Sequence, residues 1–150
     1  MKYPDKFIRG ITTFGWLLED RTGANMNLFA FPSERSRRDG WTEESINWMD
    51  DAAAIGFTLS QRDDDGEPKF KVGIAILARN ELDTLLKRHP GVRGIFRYER
   101  ARLPDNEYHG NLLLHEAKNK TLKGMIRGYL ALISEIRLRE DNQEDGAIHS

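Results

Sequence analysis

Between Pro104 and Lys118 the chain reads Pro-Asp-Asn-Glu-Tyr-His-Gly-Asn-Leu-Leu-Leu-His-Glu-Ala-Lys, so two of its four histidines, three carboxylates and a lysine fall within fifteen residues. Carboxylates can hold a hard divalent cation, and such a cation can orient or activate water beside a phosphodiester. Glu116 and Lys118 are two residues apart, which puts them on one face if the segment is a strand. Asp105 opens the connection leading into that strand. In this reading Asp105 and Glu116 share a magnesium ion with Lys118 beside it. In the other reading the stretch is a plain β-hairpin, because Pro-Asp-Asn is good turn chemistry and Glu-x-Lys arises easily in so charged a chain.

Pro104-Asp105 followed by Glu116-Ala117-Lys118 resembles the PD-(D/E)xK nuclease superfamily, over residues 104–118 and the helix expected after them. The resemblance implies magnesium-dependent cleavage of DNA or RNA, with Asp105, Glu116 and Lys118 as the catalytic set and Asp105 and Glu116 as metal ligands. The chain departs from that family in one respect. A strand should follow the helix, whereas here the helix reads as running into an acidic tail.

The histidines offer a second chemistry. Asp105, Glu107 and His109 alternate, so an extended backbone would align them, with His115 or Glu116 nearby, as a transition-metal site requires. A histidine beside Gly110 at a hairpin tip is equally a surface hydrogen-bonding residue. Asp63-Asp64-Asp65-Gly66-Glu67 opens like a calcium loop, but Lys69, Phe70 and Lys71 follow and no closing glutamate arrives. A hairpin turn is the expectation there.

Two basic groups suggest binding without chemistry. Arg35, Arg37 and Arg38 precede Gly40-Trp41, and arginine beside an aromatic on a loop suits a nucleic-acid or acidic-protein contact. Glu34 and Asp39 dilute that field. Lys120, Lys123 and Arg127 line the side of the last helix opposite its apolar stripe, a ridge able to track a phosphate backbone. Amphipathic helices commonly carry such residues on their wet face anyway. No Walker loop, G-x-G-x-x-G, G-x-S-x-G elbow or RNP aromatic pattern is present.

Positioning these residues requires elements, and the periodicities supply a list. Phe7, Ile11, Phe14 and Leu18 recur at helical spacing after Asp5, predicting a helix to about Arg21 with Trp16 on its outer side. Asn25–Phe31 reads as a strand and 33–40 as a loop. Thr42 caps a helix to Ile55, with Ile46, Met49 and Ala53 inward. Phe57–Gln61 and Pro68–Ala78 read as strands flanking the Asp-Asp-Asp-Gly turn. A short helix starts at Asn80, a hairpin pairs Gly94–Leu103 with Asn111–Ala117, and a long helix runs from Lys120 to Arg139. The fold expected is α+β, with a mainly antiparallel sheet of about five strands and two to four packed helices. The order is α-β-α-β-β-α-β-β-α, and residues 25–103 have the ferredoxin-like βαββαβ order.

At 150 residues, 39% hydrophobic and 31% charged, the chain suits one globular domain over 1–139, followed by an acidic, frayed tail at 140–150. Its 23 basic and 24 acidic residues cancel, so net charge points to no polyanionic partner. Absence of cysteine removes thiol chemistry and suits a reducing cytoplasm. No apolar run is long enough for a membrane span. The reading these observations favour is a cytoplasmic protein-interaction or homo-oligomerising module, whose partner is a protein or a second copy. It rests on the outward Trp16 and on the arginine loop ending at Trp41. The alternatives are the magnesium-dependent nuclease and a non-catalytic nucleic-acid binder.

Overall fold

The computed structural model describes residues 3–33, 36, 37, 39–116 and 120–140. Six strands form one antiparallel sheet: β1 (Lys6–Ile11), β2 (Trp41–Trp48), β3 (Gly73–Ala78), β4 (Phe96–Arg100), β5 (His109–His115) and β6 (Glu135–Leu138). Three α-helices accompany them: α1 (Ala53–Ser60), α2 (Arg79–Arg88) and α3 (Lys120–Ile133). The strands lie in the order β4-β5-β2-β1-β3-β6. The α+β class is as expected, but strand number and order are not. Residues 25–103 contain β2-α1-β3-α2-β4, which is not the ferredoxin-like βαββαβ arrangement.

The sheet is covered unequally. Phe7 and Ile11 of β1, Ile46 and Trp48 of β2, Leu77 of β3, and Leu112 and Leu114 of β5 point to one face. There they meet Leu82 and Leu85 of α2, Ile126 and Leu130 of α3, and Leu28, Phe29 and Phe31 of the β1–β2 connection. On the opposite face Ile8, Ile74 and Ile76 pack under Ala54 of α1 and beside Tyr108. Beyond α1 that second face, over β2, β5 and β4, carries polar side chains.

The expected helix at Asp5–Arg21 is instead β1 followed by a 3-10 turn at Phe14–Trp16. Phe7 and Ile11 are buried as the pattern requires, since residues four apart share a face in a strand as well as in a helix. Phe14 and Leu18, expected inside, are exposed, while Trp16 is half-buried against the core. Asn25–Phe31 holds a 3-10 turn at Met26–Phe29, not a strand. The helix expected from Thr42 is strand β2, and α1 begins only where that helix was to end. The C-terminal helix stops at Ile133, and Ile136 belongs to β6. Of the expected tail, residues 141–150 lie outside the described ones.

One departure from a regular sheet organises the rest. β1 and β2 pair only at Phe7–Trp48 and Ile8–Asn47, and then part. Arg9, buried in the parting, donates through Nη1 to the Ser45 carbonyl at 2.8 Å and through Nε to the Leu28 carbonyl at 3.2 Å. Its Nη2 lies 3.4 Å from Glu44 Oε1. Glu44 Oε2 accepts the Phe31 N–H at 3.2 Å, at a residue whose φ of 47° is unusual for a bulky side chain. A side-chain guanidinium thus replaces part of a strand ladder, and the buried glutamate holds the adjoining loop.

Candidate functional site

The fifteen-residue segment is divided between the two ends of β5. Asp105 lies exposed in the turn closed by Leu103 and Asn106, before the strand begins. Glu116 lies exposed just past the strand's other end, about 20 Å away at the ordinary rise per residue. The two carboxylates therefore do not meet over one ion. Lys118 lies outside the described residues. Strand β6 follows α3, so the departure noted from the nuclease pattern is absent, yet the carboxylate pair is not brought together. Glu116 instead engages the Ser33–Gly40 connection: the Ser36 hydroxyl first, then that of Ser33, holds its carboxyl below the usual range, and its N–H donates to the Gly40 carbonyl at 2.8 Å. Among the described residues no three histidine or acidic side chains are grouped as a metal site.

Asp105 and His109 nevertheless share a cleft of about 260 Å³ on the second sheet face, over the point where β1 and β2 part. Its floor is a chain of buried polar side chains. Asn106 Nδ2 donates to Asn47 Oδ1 at 2.8 Å, and Asn47 Nδ2 donates to Thr58 Oγ1 at 2.8 Å and to Gln61 Oε1 at 3.2 Å. Thr58 in turn donates to the Ala54 carbonyl, one helical turn back, at 2.7 Å. Asn106 Oδ1 accepts the Tyr108 N–H at 3.0 Å. These bonds satisfy both amide hydrogens of Asn47, so the floor is fixed. His109 Nδ1 lies 2.8 Å from the Ala101 carbonyl. A carbonyl only accepts, so the neutral ring carries its proton there and leaves Nε2 as an acceptor. Asn47 was hidden from sequence reasoning inside an expected helix, and Thr58 and Gln61 in an expected strand. Only the turn residues Asp105 and Asn106, and His109 after them, gave a signal.

Beside the cleft, the same face carries a charged cover. Arg37 bonds Glu43 at 2.8 Å and also Glu99. The two carboxylates raise its already high pKa further, Glu99 more than Glu43. Arg97 lies 4.3 Å over the Trp41 ring, which meets His115 edge-on at 5.1 Å. Leu113 is fully buried in this surround. Arg37 and Trp41 thus already hold intramolecular partners; Arg35 and Arg38 lie outside the described residues.

The basic ridge on α3 is likewise engaged. Arg127 donates through Nε to the Phe29 carbonyl at 2.8 Å and through Nη2 to the Met26 carbonyl at 3.1 Å. Lys123 reaches the Phe31 carbonyl at 3.5 Å. These carbonyls lie at the start, at the end and just beyond the Met26–Phe29 3-10 turn, and cations satisfy free carbonyls well. Lys120 is exposed at the start of α3.

The third feature is the loop from Phe14 to Met26. Phe14, Leu18 and Met26 are 37%, 48% and 38% exposed. The loop is nonetheless tied down. Asn25 Nδ2 donates to the carbonyls of Gly15 and Leu17 at 2.8 and 3.1 Å, its Oδ1 accepts the Asn27 N–H, and Leu17 and Ala24 are anchored in the core. Arg9 lies 5.4 Å from the Trp16 ring. No helix in the described residues is long and apolar enough to cross a membrane. No family model, curated protein or solved structure matches the chain.

Proposed function

We propose that the protein is an interaction module that meets its partner protein through the Phe14–Met26 loop. The observation carrying this reading is that a loop fixed from within leaves Leu18 about half exposed and Phe14 and Met26 more than a third exposed around a half-buried Trp16, with the Arg21 guanidinium 4.0 Å over the Phe14 ring. Apolar area in water forfeits roughly 25 cal/mol per Å². A slack loop could fold such residues inward; this one is held out by Asn25 and by the Arg127 bonds behind it. A preorganised apolar surface loses little entropy on docking, and tryptophan and arginine, here Trp16 and Arg21, are enriched in binding hot spots.

A photo-crosslinking residue at Leu18, compared with one at Asp64 in the 63–66 turn, tests this in the cells that make the protein. Leu18 should give one discrete adduct, lost when Phe14→Ser is added, and Asp64 should give none. The adduct's mass identifies a second copy or another protein. Equal labelling from both positions would overturn the proposal.

A further inference from the structure

The cleft over the β1–β2 parting has features that protein contact through the loop does not use. Its floor residues Asn47, Thr58 and Asn106 are at most 6% exposed and bonded to one another. A sheet junction needs no such hydrophilic network for stability, since apolar side chains of the same volume serve as well. What the network does is fix the direction of the groups around it. Gln61 Oε1 is occupied by Asn47, which leaves the amide N–H groups of Gln61 as its donors. His109 presents Nε2 as an acceptor because Nδ1 is committed to Ala101. Among the described residues the Ser45 hydroxyl and the Asp105 carboxylate, both lining the cleft, make no hydrogen bond.

The wall is aromatic. Phe70 lies so close to β1 that a Cβ on Gly10 would sit 2.1 Å from a ring carbon, so the ring is seated on bare backbone beside the cleft. Lys69 and Asp105 bring opposite charges that cancel.

From these observations we infer that the cleft binds a neutral, polyhydroxylated ring of monosaccharide size. A volume of about 260 Å³ falls just under the roughly 300–1,000 Å³ of sites for drug-sized ligands, which suits a single ring. A fixed acceptor (His109 Nε2) and a fixed donor (the Gln61 amide), with the exposed Asp105 carboxylate and Lys69 ammonium beside them, match hydroxyls, each of which donates and accepts. Phe70, seated on Gly10 with the Lys69 ammonium 5.5 Å from its ring, supplies the apolar contact for such a ring's C–H groups. With one ammonium and one carboxylate in the lining, a ligand without net charge fits best.

The test is an NMR titration of the whole chain that follows the side-chain amides of Gln61, Asn47 and Asn106 and the ring of His109. The probes are methyl glycosides of glucose, galactose, mannose and N-acetylglucosamine, with adenosine as a ribose on a base and L-glutamine as a carboxamide without hydroxyls. A glycoside or adenosine should shift these resonances saturably, and the responding probe shows whether the ring is a sugar or the ribose of a nucleoside. His109→Ala and Gln61→Ala should each weaken that binding at least tenfold while the backbone spectrum stays that of the folded protein. Phe14→Ser/Leu18→Ser, which removes the proposed protein-contact surface, should leave the titration unchanged. Absence of saturable shifts with every hydroxylated probe, saturation by L-glutamine alone, or binding indifferent to both cleft variants would overturn the inference.

Discussion

Arg9 and Glu44 face each other at 3.4 Å under the point where β1 and β2 part, their side chains 10% and 3% exposed. Each also binds backbone: Arg9 the carbonyls of Leu28 and Ser45, Glu44 the N–H of Phe31. Removing one partner of such a pair takes a counterion from a buried charge, a loss of up to about 3–5 kcal/mol. Arg9→Met should therefore reduce unfolding free energy by that order in urea melts, and Arg9→Met/Glu44→Met should recover part of it. A single variant within about 1 kcal/mol of wild type would show that water reaches Glu44.

The Arg37 cover should respond to acid. Burial alone would raise the Glu99 carboxyl, but the Arg37 hydrogen bond, then that of Asn111 and the Arg37 charge, outweigh it and hold it below its ordinary value of 4.5. The unfolded chain then takes up a proton at Glu99 more readily than the folded one. The stabilisation is present above 4.5 and is lost as pH falls through the lower folded value. Arg37→Gln should lower stability by about 1 kcal/mol at pH 7, a modest figure because both side chains are about one-third exposed. The gap in melting temperature between variant and wild type should narrow as pH falls below 4.5. A gap independent of pH would contradict the assignment.

Arg127 separates structural from nucleic-acid roles on α3. Its fork holds two carbonyls of the Met26–Phe29 turn, which a lysine cannot reproduce. Arg127→Lys and Arg127→Met should each destabilise by roughly 2 kcal/mol, with faster hydrogen exchange at residues 26–31. The phosphate-ridge alternative requires instead that Arg127→Lys keep both stability and retention on polyanions.

Two glycines should answer in opposite directions. A Cβ at Gly110 of β5 would lie 2.3 Å from Trp48 Nε1 and 2.5 Å from the Glu99 carbonyl oxygen, so Gly110→Ala should cost about 1–3 kcal/mol. At Gly124 within α3 a Cβ meets nothing within 4 Å, and Gly124→Ala should stabilise by about 1 kcal/mol. Thermal melts of the two variants check both signs.

What the sequence revealed depended on where patterns were unambiguous. Helix α2 and the β4–β5 hairpin stand close to where periodicity put them, because Asn80 to Pro90 and Asn111 to Ala117 each fit one period. Phe7 and Ile11 fit two, because residues four apart share a face in a strand as well as in a helix, and the strand that holds them ends at Ile11. β2 was masked by its own chemistry: Thr42, Glu44, Ile46 and Trp48 alternate inward, but a glutamate reads as surface unless Arg9 is known to lie opposite. The cleft was half visible for a related reason. Asp105 and His109 stand out by residue type, whereas Asn47, Thr58 and Gln61 become a site only through neighbours as many as 59 residues distant.

The narrow junction of β1 and β2 also bears on how the chain folds. It joins two three-stranded halves, β4-β5-β2 and β1-β3-β6, and each half draws on strands scattered through the sequence. Neither half can close early: β1 finds β3 more than sixty residues later and β3 finds β6 about as far again, while the local β4–β5 hairpin must find β2 across a similar span. Loop closures of that span precede the contacts that reward them, which places the protein among slow, high-contact-order folders. A nascent chain stopped before Glu135 would still lack β6 on β3, leaving Gly73–Ile76 an open strand edge.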